Sequence, residues 1–327
     1  MGDLPWERIE RETLVRKKAR SDEKFGRDPA KTPTEELLER GVVVIDKPAG
    51  PTSHQVSDYL KKILKVPKAG HSGTLDPAVT GVLPTAIGSA TRIAQALLTS
   101  GKEYICHMHL HAEKPEEEVR KVMEGFIGKI KQLPPVKSAV KRQWRYRKIY
   151  YLEFLEVTGK DVLFIVGCQA GTYIRKLCHD IGEKLGCGAH MAGLRRSKAG
   201  PYNESQLVTL QDVTDARHYW KSDGDDSRLR KLLLPIESAV FHLPKVWVLD
   251  TAVDALCHGV NLKAPGISKV ETDIQVDEDV AVMTLKGELV LVGKAKMISK
   301  DMQTEERGLA IKTDQVFMEP GTYPKKE

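Results

Sequence analysis

A single carboxylate, Asp76, stands in the stretch His71-Ser72-Gly73-Thr74-Leu75-Asp76-Pro77, which runs on through Gly81-Val82-Leu83-Pro84. Its neighbours are small or apolar, and the ring of Pro77 follows at once. Gly70, Gly73 and Gly81 permit tight turns and close backbone approach. The pattern predicts a packed loop in which the acid is poorly solvated, and a carboxylate is costly there without a partner or a task. Most aspartates in loops cap a helix or brace a turn. An ionised one in dry surroundings can instead act as a nucleophile or a base.

Three further features give Asp76 possible company. Gly101-Lys102-Glu103-Tyr104 is a charged turn that delivers an aromatic side chain at the start of a strand, where it could pack or stack on a flat base. Gly171-Thr172-Tyr173-Ile174-Arg175 puts Arg175 at the opening of a helix, the wrong end of the dipole for a cation. A buried two-point pair with Asp76 would explain it and keep the acid ionised, whereas a surface ion pair would contribute little. Finally, Lys141, Arg142, Arg145, Arg147 and Lys148 are interleaved with Trp144 and Tyr146 after Leu133-Pro134-Pro135. Charge runs usually mark a solvated face, but aromatic interleaving in a loop favours an arm that grips phosphates and stacks bases. Arg195-Arg196, after Leu194, joins the same basic inventory.

The elements that must position these groups are legible. Val42–Ile45 reads as a buried strand, and Thr52 or Ser53 can cap a helix carrying Val56, Leu60, Ile63 and Leu64 on one face. Ala90, Ile93, Ala94, Leu97 and Leu98 repeat the helical period. A further helix opens at Pro115 and buries Val119, Val122, Met123 and Phe126. Residues 149–157 and 162–169 form a strand pair, and a helix from near Gly171 buries Ile174, Leu177, Cys178, Ile181 and Leu185 before stopping at Gly186. Strands and helices interleave without a regular βαβ rhythm, so the expected class is α+β with a mixed sheet. A polar break at 221–231 precedes a strand-rich tail, a small β-barrel-like unit at 243–320. In it Thr251-Ala252-Val253-Asp254 starts a short helix, and Lys286-Gly287 turns a hairpin. Residues 1–40 hold ten Lys/Arg and ten Asp/Glu, too polar to fold alone, and are mobile or draped over another domain. The expected division is 1–40, 41–242 and 243–320.

Composition narrows the function. The 327 residues allow two domains, and a net charge of +6 is too mild to argue by itself for nucleic acid. Five scattered cysteines without a C-x-x-C pair argue against a disulfide framework or structural zinc and for a reducing, cytoplasmic setting. No apolar run is long enough to span a membrane. P-loop, dinucleotide, H-E-x-x-H and G-x-S-x-G signatures are all missing. His107, His109 and His111 share one strand face, but no acid or cysteine cluster accompanies them in the sequence. They read as polar surface residues rather than metal ligands.

Residues 44–54, 70–77, 101–104 and 171–175 together resemble the ordered motifs of the TruB family of RNA pseudouridine synthases, in its archaeal dyskerin-like branch, the catalytic subunits of box H/ACA guide particles. The tail, with His258-Gly259 and Ala264-Pro265-Gly266-Ile267, resembles a PUA domain. The resemblance implies Asp76 as the catalytic residue, Tyr104 stacked on the target base, Tyr173 and Leu194 lining the pocket, and Arg175 paired with the acid. It implies Lys47 and Pro48 as buttresses of the loop, His71 as an aid to opening the RNA, and residues 131–150 as a clamp. Lys263 and Gly266 would touch RNA from the tail. Ser72 departs from the glycine expected there, which should alter loop stiffness rather than chemistry.

Isomerising uridine involves no net redox change, so no cofactor or metal is expected. The base must leave its stack, which costs a few kcal/mol and needs an aromatic and apolar receptacle. The resemblance further implies a guide RNA, ribosomal RNA as substrate, a small Nop-type protein, a Gar-type protein and a kink-turn-binding ribosomal-type protein. A stand-alone enzyme for the T-loop uridine of tRNA, a non-catalytic RNA scaffold and a hydrolytic RNA-binding module are the alternatives. Whether Asp76 attacks the base, attacks the sugar or removes a ribose proton stays open at this level.

Overall fold

The computed structural model describes residues 2–134 and 142–325. Two sheets organise the chain. The larger contains β1 (Gly41–Lys47), β2 (Thr80–Ile87), β3 (Lys102–Leu110), β4 (Gly128–Gln132), β5 (Arg145–Thr158), β6 (Asp161–Cys168) and β7 (Ala189–Ala199). Its order is β1-β2-β7-β3-β6-β5-β4, with Leu234–Pro235 beyond β1 and short strands Ala69–His71 on β2 and Tyr202–Asn203 on β7. The β2–β7 pairing is parallel and the others are antiparallel, so the sheet is mixed, as expected.

Helices cover this sheet where the apolar period places them. Helix α1 (Ser53–Leu64) is capped by Thr52, whose hydroxyl accepts from the Gln55 amide while the Gln55 side chain returns to the Thr52 backbone. Helix α2 (Glu116–Glu124) and α3 (Ile174–Lys184) bury Val119, Met123, Leu177, Cys178 and Ile181 against Cys106, Met108, Phe164 and Val166. Helix α4 (Leu210–Asp223) packs with α1 over β1 and β2.

The smaller sheet is the tail: β8 (Lys245–Val248), β9 (Ile267–Glu271), β10 (Asp279–Met283), β11 (Leu289–Ala295) and β12 (Leu309–Val316), with α5 (Asp250–Cys257). The hairpin β10–β11 turns at Gly287, where φ is +89° and the Thr284 amide bonds the Glu288 carbonyl. Residues 1–40 are neither uniformly mobile nor confined to the tail. Thr13–Val15 adds an edge strand to β9, yet Leu4 is fully buried against Tyr151 and Ile165 of the larger sheet. The two sheets share one core, in which Val42, Val44 and Val82 meet Ala281, Met283, Leu289 and Phe317.

Several local expectations shift. The period at 90–98 is a 3-10 turn (Gly88–Ile93) followed by a five-residue helix, and Leu98 is 42% exposed rather than core. The polar break at 221–231 is largely helical, because α4 runs to Asp223, Gly224 caps it at φ +71° and a second short helix begins at Ser227. Helix α5 starts at Asp250 without a side-chain cap, so Thr251 lies inside it. Asp250 Oδ2 instead accepts from Ser21 Oγ and the Asp22 amide, tying the N-terminal segment to the tail.

Gly81 fixes how closely β2 and β7 approach: its φ is +103° and an added Cβ would lie 2.3 Å from the Arg196 carbonyl. Gly50 has φ +107° but open space around it. Gly81→Ala should therefore cost about 2–5 kcal/mol from overpacking plus backbone strain, and Gly50→Ala only about 1–2, measurable by urea unfolding. Burial pushes His242 down from 6.5 to about 4. Its neutral form contributes fully above pH 6.5, and that stability is lost as pH falls toward 4 because only the unfolded chain takes the proton. Unfolding series at pH 7 and pH 5 should show a smaller acid loss in His242→Gln than in the parent.

Candidate active site

The loop carrying Asp76 links the short strand Ala69–His71 to β2 and is held through its own backbone groups, largely by side chains from neighbouring elements. The Lys47 ammonium, fully buried at the end of β1, donates to the carbonyls of Pro48 (2.9 Å), Pro77 (3.0 Å) and Val79 (2.8 Å). Burial lowers its proton affinity, while the Asp76 charge opposes that loss. Ser53 Oγ accepts from the Leu75 amide (2.8 Å) and donates to the Leu75 carbonyl (3.1 Å). The Gly50 amide bonds Pro77 O, and the Val79 amide closes a turn on Asp76 O. Leu75 and Val79 are buried on either side of the acid. Ser72 is buried as well, with its amide and hydroxyl both donating to Pro84 O, so its side chain adds a tether to the loop.

Asp76 itself points outward. Arg175, in the first turn of α3, donates through Nη2 to Asp76 Oδ2, and the two side chains are 52% and 54% exposed. The expected pairing is present; the expected burial is not, because the loop anchors its apolar neighbours and leaves the carboxylate on the open rim. One guanidinium nitrogen meets one oxygen, a single contact rather than the two-point pair expected.

Around this pair the structure gathers the other pocket candidates. Tyr173 caps α3 and is half-buried, clamped at both backbone atoms by Gln132, whose Oε1 accepts from Tyr173 N (3.0 Å) and whose Nε2 donates to Tyr173 O (3.1 Å). Gln132, buried at the end of β4, was covered in the sequence only by the clamp expected at 131–150, with nothing to mark it as the anchor of Tyr173. On β3, Tyr104 lies opposite Arg196 of β7, and Leu194 lies opposite Cys106. Burial raises the Tyr104 pKa, with the Arg196 charge opposing and the Asp76 charge adding to it.

The charged turn before Tyr104 is buried rather than exposed. Lys102 Nζ donates to the carbonyls of Leu97, Leu98 and Ser100, and burial pushes it down to about 7. Glu103 accepts from Tyr151 Oη and Ser197 Oγ. His71 sits edge-on to His54 with ring centroids 4.8 Å apart, and among the described residues neither of its ring nitrogens has a hydrogen-bond partner. Burial first, then His54 and Arg196, push it down to about 4, so it is neutral at ordinary pH.

The basic run divides. Lys141 lies outside the described residues. Arg142 donates to Pro134 O, whereas Arg145, Arg147 and Lys148 belong to β5 and pair in register with β4. The loop proper is thus shorter than 131–150, because the alternation of residues 145–149 suits a strand with a buried Ile149. Trp144 and Tyr146 are 58% and 57% exposed, each under a lysine: Lys131 Nζ is 4.8 Å from the Trp144 ring and Lys129 Nζ 4.2 Å from that of Tyr146. Arg147 reaches back to Gly171, where the missing Cβ leaves room for its guanidinium.

Arg195 and Arg196 are not a common basic face. Arg195 meets both oxygens of Asp46 (3.0 and 3.2 Å) and Glu204 (2.5 Å), and Arg196 points into the interior. Lys263 and Gly266 lie in the other sheet's unit, at a short strand and the turn after it, so the fold does not bring them to Asp76. The strand histidines do have an acid: Asp161, from β6, accepts contacts from His107 Nε2 (2.6 Å) and His109 Nδ1 (2.9 Å), a neighbour invisible in sequence because it comes across the sheet. Among the described residues no cluster of three or more such side chains is arranged to hold a metal, and no helix is long and apolar enough to cross a membrane.

A carboxylate on an open rim and an arginine against it, with an aromatic strand residue nearby, form the candidate site, and the chain that carries it has clear relatives. Residues 61–174 match the TruB family pseudouridylate synthase N-terminal domain, 175–241 the tRNA pseudouridylate synthase B C-terminal domain, 244–317 the PUA domain and 3–57 the DKCLD (NUC011) domain. The chain is 54% identical to a probable tRNA pseudouridine synthase B of Methanopyrus kandleri, over 98% of this chain and 95% of that one. It is 52% identical to the protein of the same name from Pyrococcus abyssi, over 97% and 96%. Among solved structures it is similar to a chain of a Cbf5-Nop10-Gar1 complex, with TM-score 0.95, 51% identity and 99% of each chain covered. An H/ACA RNP bound to a substrate RNA containing 2'-deoxyuridine gives TM-score 0.93 and 48% identity, again over 99% of each chain. The chain belongs to the TruB family of pseudouridine synthases and is an isomerase that acts on RNA.

Proposed function

We propose that this isomerase converts uridine to pseudouridine in ribosomal RNA under the direction of a box H/ACA guide, with Asp76 as its catalytic residue. The observation that supports the site is the Asp76–Arg175 contact on a loop whose backbone is bonded at Leu75, Pro77 and Val79. The reaction breaks the bond from N1 to C1′ and forms one from C5 to C1′; N1 gains a proton and C5 loses one. Atoms and electrons balance without a cofactor. Asp76 stands at the reacting base or sugar, Arg175 orients it, Tyr104 stacks on the extruded base, and Tyr173 and Leu194 complete the apolar wall. Lys47 and Pro48 hold the loop, and His71 lies beside it as a neutral imidazole where the RNA enters.

Likeness to the Cbf5-Nop10-Gar1 complex and the H/ACA particle along nearly the whole chain supports assembly with Nop-type and Gar-type proteins and guide RNA; a kink-turn-binding ribosomal-type partner rests on the family resemblance alone. We divide the chain accordingly into residues 1–40, a catalytic domain at 41–242 and a PUA domain at 243–320, the last gripping RNA near Lys263 and Gly266. Five free cysteines suit the reducing cytoplasm. The name of the curated relatives favours a second role, guide-free modification of the T-loop uridine of tRNA.

Pseudouridine mapping of ribosomal RNA treated with the reconstituted particle should show product only with the matching guide and none with Asp76→Asn. Product that ignores the guide defeats the guided reading, and product on tRNA from the lone protein establishes the second role. For the arm, Trp144→Ala or Tyr146→Ala should weaken RNA binding by about 1–3 kcal/mol in filter-binding titrations while leaving the rate at saturating RNA intact.

A further inference from the structure

Arg196 is the least expected charge in the molecule. Its side chain is 1% exposed, and among the described residues no carboxylate lies within ion-pair distance of it. A buried guanidinium without a counter-charge is expensive, and a neutral donor or an apolar side chain of similar volume would fill the space at lower cost. Its hydrogen bonds go instead to two pieces of the proposed reaction centre, and a third lies beside it. Nε donates to Val82 O (2.7 Å), where β2 leaves the acid loop, and Nη2 donates to Gly73 O (3.3 Å), inside that loop. Tyr104 is its register partner directly across the sheet, which sets the two side chains next to each other on one face. Gly73 is at φ +111°, and the space its missing Cβ leaves is bounded by Arg196 Nη1 and by the exposed Leu98.

We propose that Arg196 is a positioning residue that locks the Asp76 loop to Tyr104, so that the acid and the stacking ring are presented to one uridine at a set separation. The guanidinium fork spans acceptors that a lysine, with a single nitrogen, cannot reach together. Arg196 does not touch the RNA; it acts through Gly73 and Tyr104. This rests on Asp76 being the catalytic residue, and the test separates the two.

Full-length parent, Arg196→Lys, Tyr104→Phe, the double variant and Asp76→Asn are assayed on the RNA that the parent modifies. Single-turnover rate, RNA affinity and amide hydrogen exchange are measured. Arg196→Lys should slow the chemical step by about 100-fold with RNA affinity unchanged, and speed exchange only across residues 72–79. The double variant should be no slower than the worse single one, since both break one linkage. Arg196→Met serves as the charge-free comparison; if it does not fold, the cycle with Arg196→Lys and Tyr104→Phe decides the outcome. Strictly additive losses, a fall in affinity that matches the fall in rate, or faster exchange throughout both sheets overturns the proposal. Asp76→Asn at the parent's rate removes the site assignment and this inference with it. An inactive Asp76→Asn beside an Arg196→Lys at the parent's rate sinks the inference alone.

Discussion

Three carbonyls converging on the Lys47 ammonium hold this site together. Pro48, Pro77 and Val79 lie on both sides of the loop, and one buried cation satisfies all three. Hydrogen bonds to a charged donor contribute about 1.5–3 kcal/mol each, and removing the donor would leave three backbone acceptors starved in the interior. The cage therefore fixes the path of the chain at Pro77 and Val79, which leaves Asp76 beside them no freedom to retreat. That is how a carboxylate can be half exposed and still be placed. Solvent reaches it, but its backbone does not move with the solvent.

The same logic recurs one layer out. Ser53 fastens Leu75, Ser72 fastens Pro84, Gln132 fastens Tyr173, and Lys102 fastens the turn before Tyr104. In each case a side chain satisfies backbone groups that the irregular chain cannot pair for itself. The candidate site residues are thus carried on loops and strand ends, and the rigidity comes from buried polar anchors on regular elements. The shared core between the two sheets extends this stiffness. The catalytic sheet packs on the tail through Val42, Val82, Met283 and Phe317, and the N-terminal segment is stitched to both.

Much of this was legible. The apolar period of residues 53–64 and its cap, the helix carrying Arg175 and the hairpin at Gly287 were readable because each depends on neighbours within a few positions. The pairing of Asp76 with Arg175, 99 positions apart, was readable only through the resemblance and the misplaced sign of a cation at a helix start. Burial was the weak point. Lys102 and Glu103 looked like a charged turn and are interior; Asp76 looked interior and is on the rim. Asp161 beside His107 and His109, and Gln132 beneath Tyr173, come from other strands, so no local pattern announces them.

The amino-acid order alone offered the residue types of the candidate site and determined the turns that carry them and the mixed class of the fold, because hydrophobic period and glycine placement act over short distances. Tertiary structure decided what each charge does. Arg195 and Arg196 are adjacent and chemically identical, yet alternation along β7 sends one to two acids at the surface and the other into the interior beneath the acid loop. Successive residues of a strand face opposite sides, and which side is core depends on strands that lie about a hundred positions away in the chain, β2 and β3.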